Sequence, residues 1–227
     1  MAKKILVVLT SHEKYPDMNR ATGVWLGEAV HFVEKVEEAG FEVDYASPQG
    51  GYVPIDPHSL EMGEPIDWEW YGRRDFMNRL GATKKLSEVN PGDYAAIYYV
   101  GGHGVMWDFP DDVDLQRIAR EIWEKGGVVS TVCHGVVGLL NIKLSDGSTL
   151  IDGKRLTGFS NEEEKLAELD SHVPFLTQTE LEKRGAKYEK ANQAWAPFAI
   201  ADGRLITGQN PASGGKVGEL VVEALRG

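Results

Sequence analysis

A strand that runs into a cysteine-bearing turn, Gly127-Val-Val-Ser-Thr-Val-Cys133-His134-Gly135-Val-Val-Gly138, constrains this chain more than any other stretch. Val128 to Val132 is apolar and largely β-branched, the pattern of a strand covered on both faces. A sharp turn and the first turn of a helix follow, and Gly135 and Gly138 let neighbouring backbone come close. Cys133 therefore stands where a nucleophile elbow would put it. There it faces a helix N-terminus whose unpaired N–H groups favour a thiolate. Cys133 is the chain's single cysteine, so an intrachain disulfide and a thiolate-rich metal site are excluded, and a reducing compartment is expected.

The rest of the chain alternates strand and helix. Lys4 to Thr10 reads as the first strand, Gly23 to Ala39 as a helix ended by Gly40, and Glu42 to Ala46 as the second strand. The polar segment Ser11 to Thr22 belongs at a sheet edge or site rim. Ser47 to Gly92 is rich in Pro, Gly and aromatic residues. It is expected to be an insertion of short helices packed over one end of the sheet as a cap, its aromatics serving packing. Ala95 to Val100 is a strand, Val113 to Glu124 a helix, and Asn141 to Gly153 a loop or hairpin. Arg155 to Phe159 reads as a strand, with helices over Asn161–Leu169 and Pro174–Arg184. Ala196–Ala201 and Leu205–Gly208 form a hairpin, and Asn210 to Ser213 caps a final helix. Such alternation implies a mostly parallel sheet with helices on both faces, in one domain spanning residues 1–227.

The formal net charge of −11 opposes binding to nucleic acid and to anionic membranes. No apolar run reaches the roughly 20 residues needed to span a bilayer. The start, Met1-Ala-Lys-Lys-Ile-Leu-Val-Val-Leu-Thr10, reads as a core strand and not as a signal peptide, so a cytoplasmic protein is expected. His12, His31, His58 and His172 show no HExxH or paired spacing, and neither a metal nor another cofactor is expected.

In open parallel sheets ligands bind beyond the carboxyl ends of the strands. Three segments meet that condition: Ser11 onward, Gly101-Gly-His-Gly104, and Cys133 to Gly135. Glycines beside a cysteine nucleophile suit backbone N–H groups turned toward an oxyanion. Glu28, beside the inward face of the first helix, is a candidate proton donor to the sulfur. His134 needs an orienting carboxylate, which the run Glu162-Glu163-Glu164 could supply.

Together, Ala95-Ala-Ile-Tyr-Tyr-Val-Gly-Gly-His-Gly104, Val132-Cys-His-Gly135, Thr157-Gly-Phe-Ser-Asn-Glu-Glu-Glu164, Leu205-Ile-Thr-Gly-Gln-Asn-Pro-Ala-Ser213 and Glu28 resemble the class I glutamine amidotransferase-like superfamily. The resemblance is to its branch of heat-shock chaperones, glyoxalase III and intracellular-protease-like proteins, and it runs from the first strand to the last helix. It implies a flavodoxin-like three-layer α/β sandwich, a homodimer and glutathione-independent conversion of a small 2-oxoaldehyde, methylglyoxal, to D-lactate. Protein deglycation and holdase activity are also implied. The family's nucleophile falls on Cys133, its adjacent histidine on His134 and its thiol-partner glutamate on Glu28. Oxyanion donors fall on the backbone of Gly102 and His103, and counting from Phe159 places the acidic position at Glu164. The expected chemistry is addition of Cys133 to the aldehyde, with the adjoining proton moved by His134 or Glu28. Two other readings stand beside it: a cysteine peptidase or amidase, and a holdase or redox sensor. The His-x-Glu pair of true glutamine amidotransferases does not occur near the C-terminus.

Overall fold

The computed structural model describes residues 4–227; Met1 to Lys3, the basic start that the sequence sets beside a signal peptide, lie outside the described residues. The strands are β1 (Lys4–Val8), β2 (Glu42–Ser47), β3 (Lys84–Lys85), β4 (Tyr94–Tyr99), β5 (Val128–Val132), β6 (Arg155–Leu156), β7 (Lys187–Tyr188), β8 (Ala199–Asp202) and β9 (Leu205–Gly208). Seven of them form the main sheet in the order β3-β2-β1-β4-β5-β9-β8, and every pairing is parallel except β8 with β9. The chain leaves β1 for β2 on one side and later enters β4 on the other. The crevice at the carboxyl ends therefore opens beside β1 and β4.

The helices are α1 (Leu26–Glu38), α2 (Pro57–Glu61), α3 (Pro65–Gly72), α4 (Arg74–Gly81), α5 (Val105–Asp108), α6 (Val113–Glu124), α7 (Asn161–Leu166), α8 (Thr177–Lys183) and α9 (Gly214–Arg226). Alternation along β1 divides the core in two. Ile5, Val7 and Leu9 pack under α1 and α9, while Leu6 and Val8 pack under α6. This is the expected three-layer α/β arrangement. Phe32 of α1 stacks on Tyr98 of β4 with ring centroids 3.6 Å apart, and the Tyr98 hydroxyl donates to the Glu28 carbonyl at 2.9 Å. Helix and sheet are thus tied together at the residue that faces the cysteine. Among the described residues, no helix is long and apolar enough to cross a membrane.

Four local expectations need correction. The strand expected over Arg155–Phe159 stops at Leu156 and pairs with β7 in a separate two-stranded sheet. Thr157 and Phe159 instead donate their amides to the Thr207 hydroxyl and the Cys133 carbonyl, so this segment folds over the cysteine turn. The helix after Cys133 is a 3₁₀ helix, Cys133–Leu139, squeezed where Gly135 and Gly138 meet Tyr99. The helices expected over Asn161–Leu169 and Pro174–Arg184 are shorter, Asn161–Leu166 and Thr177–Lys183. Finally, the segment from 48 to 92 does more than cover one end of the sheet. Trp70, Phe76 and Leu80 enter the α1-side core, and Lys84–Lys85 becomes an edge strand beside β2. Of its aromatics, Trp70 and Phe76 are buried, whereas Trp68 and Tyr71 stay exposed.

Candidate active site

Cys133 is 2% exposed and holds a left-handed backbone, φ 57°. That conformation costs a residue with a side chain about 1–3 kcal/mol and persists because the turn around it is tightly packed. It lifts the side chain out of the line of β5 toward Gly101, where a Cβ would fall 2.9 Å from Cys133 Cβ and 2.5 Å from Glu28 Oε2. Only glycine lets β4, α1 and the cysteine turn converge at that point.

His134 sits against both sulfur and carboxylate. Its Nδ1 lies 3.4 Å from Cys133 Sγ, and its Nε2 lies 2.7 Å from Glu164 Oε2. Although burial opposes its charge, Glu164 is held well below the usual carboxylate range by His134 and His103. An ionised carboxylate can only accept, so His134 Nε2 carries the hydrogen and Nδ1 presents its lone pair to the thiol. Burial and the neighbouring His103 push His134 down, so the ring is neutral near pH 7 and free to take a proton. The other Glu164 oxygen, Oε1, receives a bond from His103 Nε2 at 2.7 Å.

Glu28 is fully buried on the far side of the sulfur. Its Oε2 accepts the Gly101 amide at 2.8 Å, whereas Oε1 has no hydrogen bond of ordinary geometry and the Cys133 thiol is the polar group coupled to the carboxyl. Burial raises this carboxyl to about 8, so Glu28 is protonated near neutral pH and can donate to sulfur. Burial opposes the Cys133 thiolate, against the pull of the His134 amide. The helix expected to favour a thiolate is a short 3₁₀ turn, and burial works against that charge. His134 Nδ1 is the basic atom within reach of the thiol.

The Gly101–Gly104 loop closes the site. Among the described residues, the amides of Gly102 and His103 have no protein acceptor, and both residues line a cavity of about 420 Å³ that reaches Cys133 and His134. Gly102, at φ +101°, passes so close to the Gly23 carbonyl that a Cβ there would sit 2.2 Å from it. Tyr15 and Arg20 from the segment after β1 also line the cavity, at the rim where that segment was expected.

All six residues proposed from the sequence, Cys133, His134, Glu28, Glu164, Gly102 and His103, gather within this one site. The three consecutive glutamates separate by side. Glu164 faces the histidines, and Glu162 reaches Lys190 on the surface at 2.7 Å. Glu163 is buried and accepts from Ser160 N and Oγ, Trp195 N, Gln209 Nε2 and Asn210 Nδ2. Sequence reasoning brought His103 to the site beside Cys133 and His134 but gave a role only to its backbone, and so missed the bond of its imidazole to Glu164. It also missed the convergence of His103, His134 and Glu164, whose ligating atoms lie within 4.8 Å of one another. No spacing in sequence announces that cluster, because its members follow three different strands. Trp195, the outer wall beside Phe159, was equally silent; its φ of 66° depends on the bond from its amide to Glu163.

Comparison with known proteins adds a family to this geometry. Residues 20–224 match the model of the DJ-1/PfpI family. The chain is 37% identical to the glutathione-independent glyoxalase HSP31 of Saccharomyces cerevisiae, covering 99% of this chain and 98% of that protein. Against glyoxalase 3 of Candida albicans it is 36% identical over 97% of this chain and 98% of the relative. Among solved structures, the Rapid Encystment Protein of 24 kDa from Francisella tularensis superposes with a TM-score of 0.94 at 35% identity, covering 98% and 99% of the two chains. Glyoxalase III from Candida albicans gives 0.90 at 35% identity, covering 98% and 97%.

Proposed function

The chain belongs to the DJ-1/PfpI family, and on that premise we propose that it is a glutathione-independent glyoxalase that converts methylglyoxal to D-lactate through a cysteine hemithioacetal. The observation that carries the reading is the chain Cys133 Sγ–His134 Nδ1, with His134 Nε2 bound to Glu164, in the lining of the cavity. Relatives of nearly equal length named as glutathione-independent glyoxalases support it.

The thiol of Cys133 gives its proton to His134 as sulfur bonds to the aldehyde carbon, and the amides of Gly102 and His103 receive the oxyanion. His134 returns the proton to that oxygen, which completes the hemithioacetal and leaves the ring neutral. The ring then removes the C–H proton of the former aldehyde carbon, giving an enediolate, and delivers it to the former ketone carbon, while the hydroxyl proton on the first oxygen passes to the second and leaves a carbonyl on the first carbon. The product is the thioester of lactate. Water releases the acid and restores the thiol. One carbon is oxidised as its neighbour is reduced, so methylglyoxal plus water accounts for every atom and no external oxidant is required. Glu28 keeps its proton and donates to sulfur whenever the sulfur carries charge. Glu164 fixes the tautomer of His134 and stabilises its cation. The reading includes a homodimer, which the family resemblance implies. It also includes a cytoplasmic setting, in which the lone buried thiol stays reduced.

The test is formation of D-lactate from methylglyoxal without glutathione. The wild type should turn over, and Cys133→Ala should lose at least about a hundredfold. Substantial activity in that variant would refute the mechanism.

A further inference from the structure

A three-carbon substrate leaves most of the cavity unused, since about 420 Å³ is the range of sites for much larger ligands. The surplus lies along α1. His31 follows Glu28 by three residues, on the same face of the helix and about 4.5 Å further along its axis. Asp67, from α3, faces it across the cavity wall. Asp67 is 4% exposed, and its Oδ2 accepts the Glu64 amide at 2.9 Å. Its Oδ1 stands 3.1 Å from His31 Nε2, an ion-pair contact without hydrogen-bond alignment, so both atoms are buried and lack a well-formed hydrogen bond. Gly27 lets Asp67 approach α1 closely, because a Cβ there would come within 3.1 Å of Asp67 Oδ2.

We propose that His31 and Asp67 form a second subsite for the hydroxyl groups of a longer, uncharged 2-oxoaldehyde of the kind sugars give on dehydration. A hydroxyl that bridges them from the cavity side donates to Asp67 Oδ1 and accepts from His31 Nε2–H, which completes both groups. The charge of the lining selects a neutral tail: Asp56, Glu64 and Asp67 face the cavity against a single guanidinium, Arg20. The separation along α1 suits a chain whose carbonyl carbons lie at Cys133 and whose hydroxyls begin a few bonds away. The reaction is the one above, with the longer chain in place of the methyl group.

The proposal rests on the glyoxalase reading, and one set of rates tests both. 3-Deoxyglucosone and methylglyoxal are compared as substrates of the wild type, His31→Ala, His31→Gln and Asp67→Asn, without glutathione. The wild type should convert both. His31→Ala should lower the ratio of kcat/KM for 3-deoxyglucosone over methylglyoxal by about tenfold, the scale of one good hydrogen bond. His31→Gln, which keeps a donor, should restore part of the ratio, and Asp67→Asn should lower it. A wild type that converts methylglyoxal but not 3-deoxyglucosone overturns the subsite. So does a ratio unchanged in both His31→Ala and Asp67→Asn. Loss of both substrates in the wild type, or conversion that survives Cys133→Ala, would instead mean that the glyoxalase reading itself has failed.

Discussion

Glu164 binds His134 through one carboxylate oxygen and His103 through the other, each at 2.7 Å, so a single buried anion orients two imidazoles beside the sulfur. The consequence is tautomeric. With Nε2 of His134 committed to Glu164, only Nδ1 is left to take the thiol proton.

Glutamates at three successive positions should therefore respond to substitution in three ways. Glu164→Gln is expected to fold but to lose about a hundred- to ten-thousandfold in kcat, because an amide can hold His134 in the wrong tautomer. Glu163→Ala should destabilise by about 2–4 kcal/mol, since it strips an acceptor from a buried set of donors. Glu162→Ala should change stability by less than about 0.5 kcal/mol, because its partner Lys190 is a surface contact. D-lactate rates and denaturant midpoints measured together separate the three.

Glu28 makes activity and stability depend on pH in a calculable direction. Folded, it keeps its proton to about pH 8; unfolded, it loses it near its ordinary 4.5. Between those values the folded state binds more protons, so this residue's contribution to stability falls as pH rises. The difference in unfolding free energy between wild type and Glu28→Gln should decline from pH 5 to 8 and then level off. A flat difference would contradict the buried, protonated carboxyl. The rate of D-lactate formation should fall above about pH 8 in the wild type, as the proton donor to sulfur is lost.

Gly102→Ala should cost stability and activity together. The substitution places a Cβ 2.2 Å from the Gly23 carbonyl, in a backbone conformation that side chains resist. A loss of roughly 2–3 kcal/mol is expected, which for a chain of this size lowers the melting temperature by about 4–12 °C. Retention of the wild-type melting temperature would show that the loop can move away.

The tie between Tyr98 and Glu28 is also measurable. Its hydroxyl donates to the Glu28 carbonyl, so Tyr98→Phe should lower stability by about 1 kcal/mol and lower kcat, with little change in KM. A change in KM alone would place the effect elsewhere in the cavity.

Periodicity was enough to read the layers and every strand of the main sheet but Lys84–Lys85. Strands such as Val128–Val132 are buried on both faces, so their apolar runs survive any choice of partner, and the glycines at 101, 102 and 135 mark places where only bare backbone fits. Cys133 and His134 were legible for the same reason, since they stand at a strand end, whereas Glu28 and, among three glutamates, Glu164 were singled out by the resemblance to a known family. What the chain could not declare from its order were relations between segments that meet only after folding. Burial, absent from any motif, raises Glu28, so that it stands protonated beside the sulfur. His103 reaches Glu164 across 61 residues, and Arg155–Phe159 leaves its expected strand to roof the cysteine turn. The sequence by itself determined which residues would stand at the sheet's carboxyl ends. The tertiary structure alone decided which atoms face one another there, because proton affinity and hydrogen bonding depend on distance and on the exclusion of water.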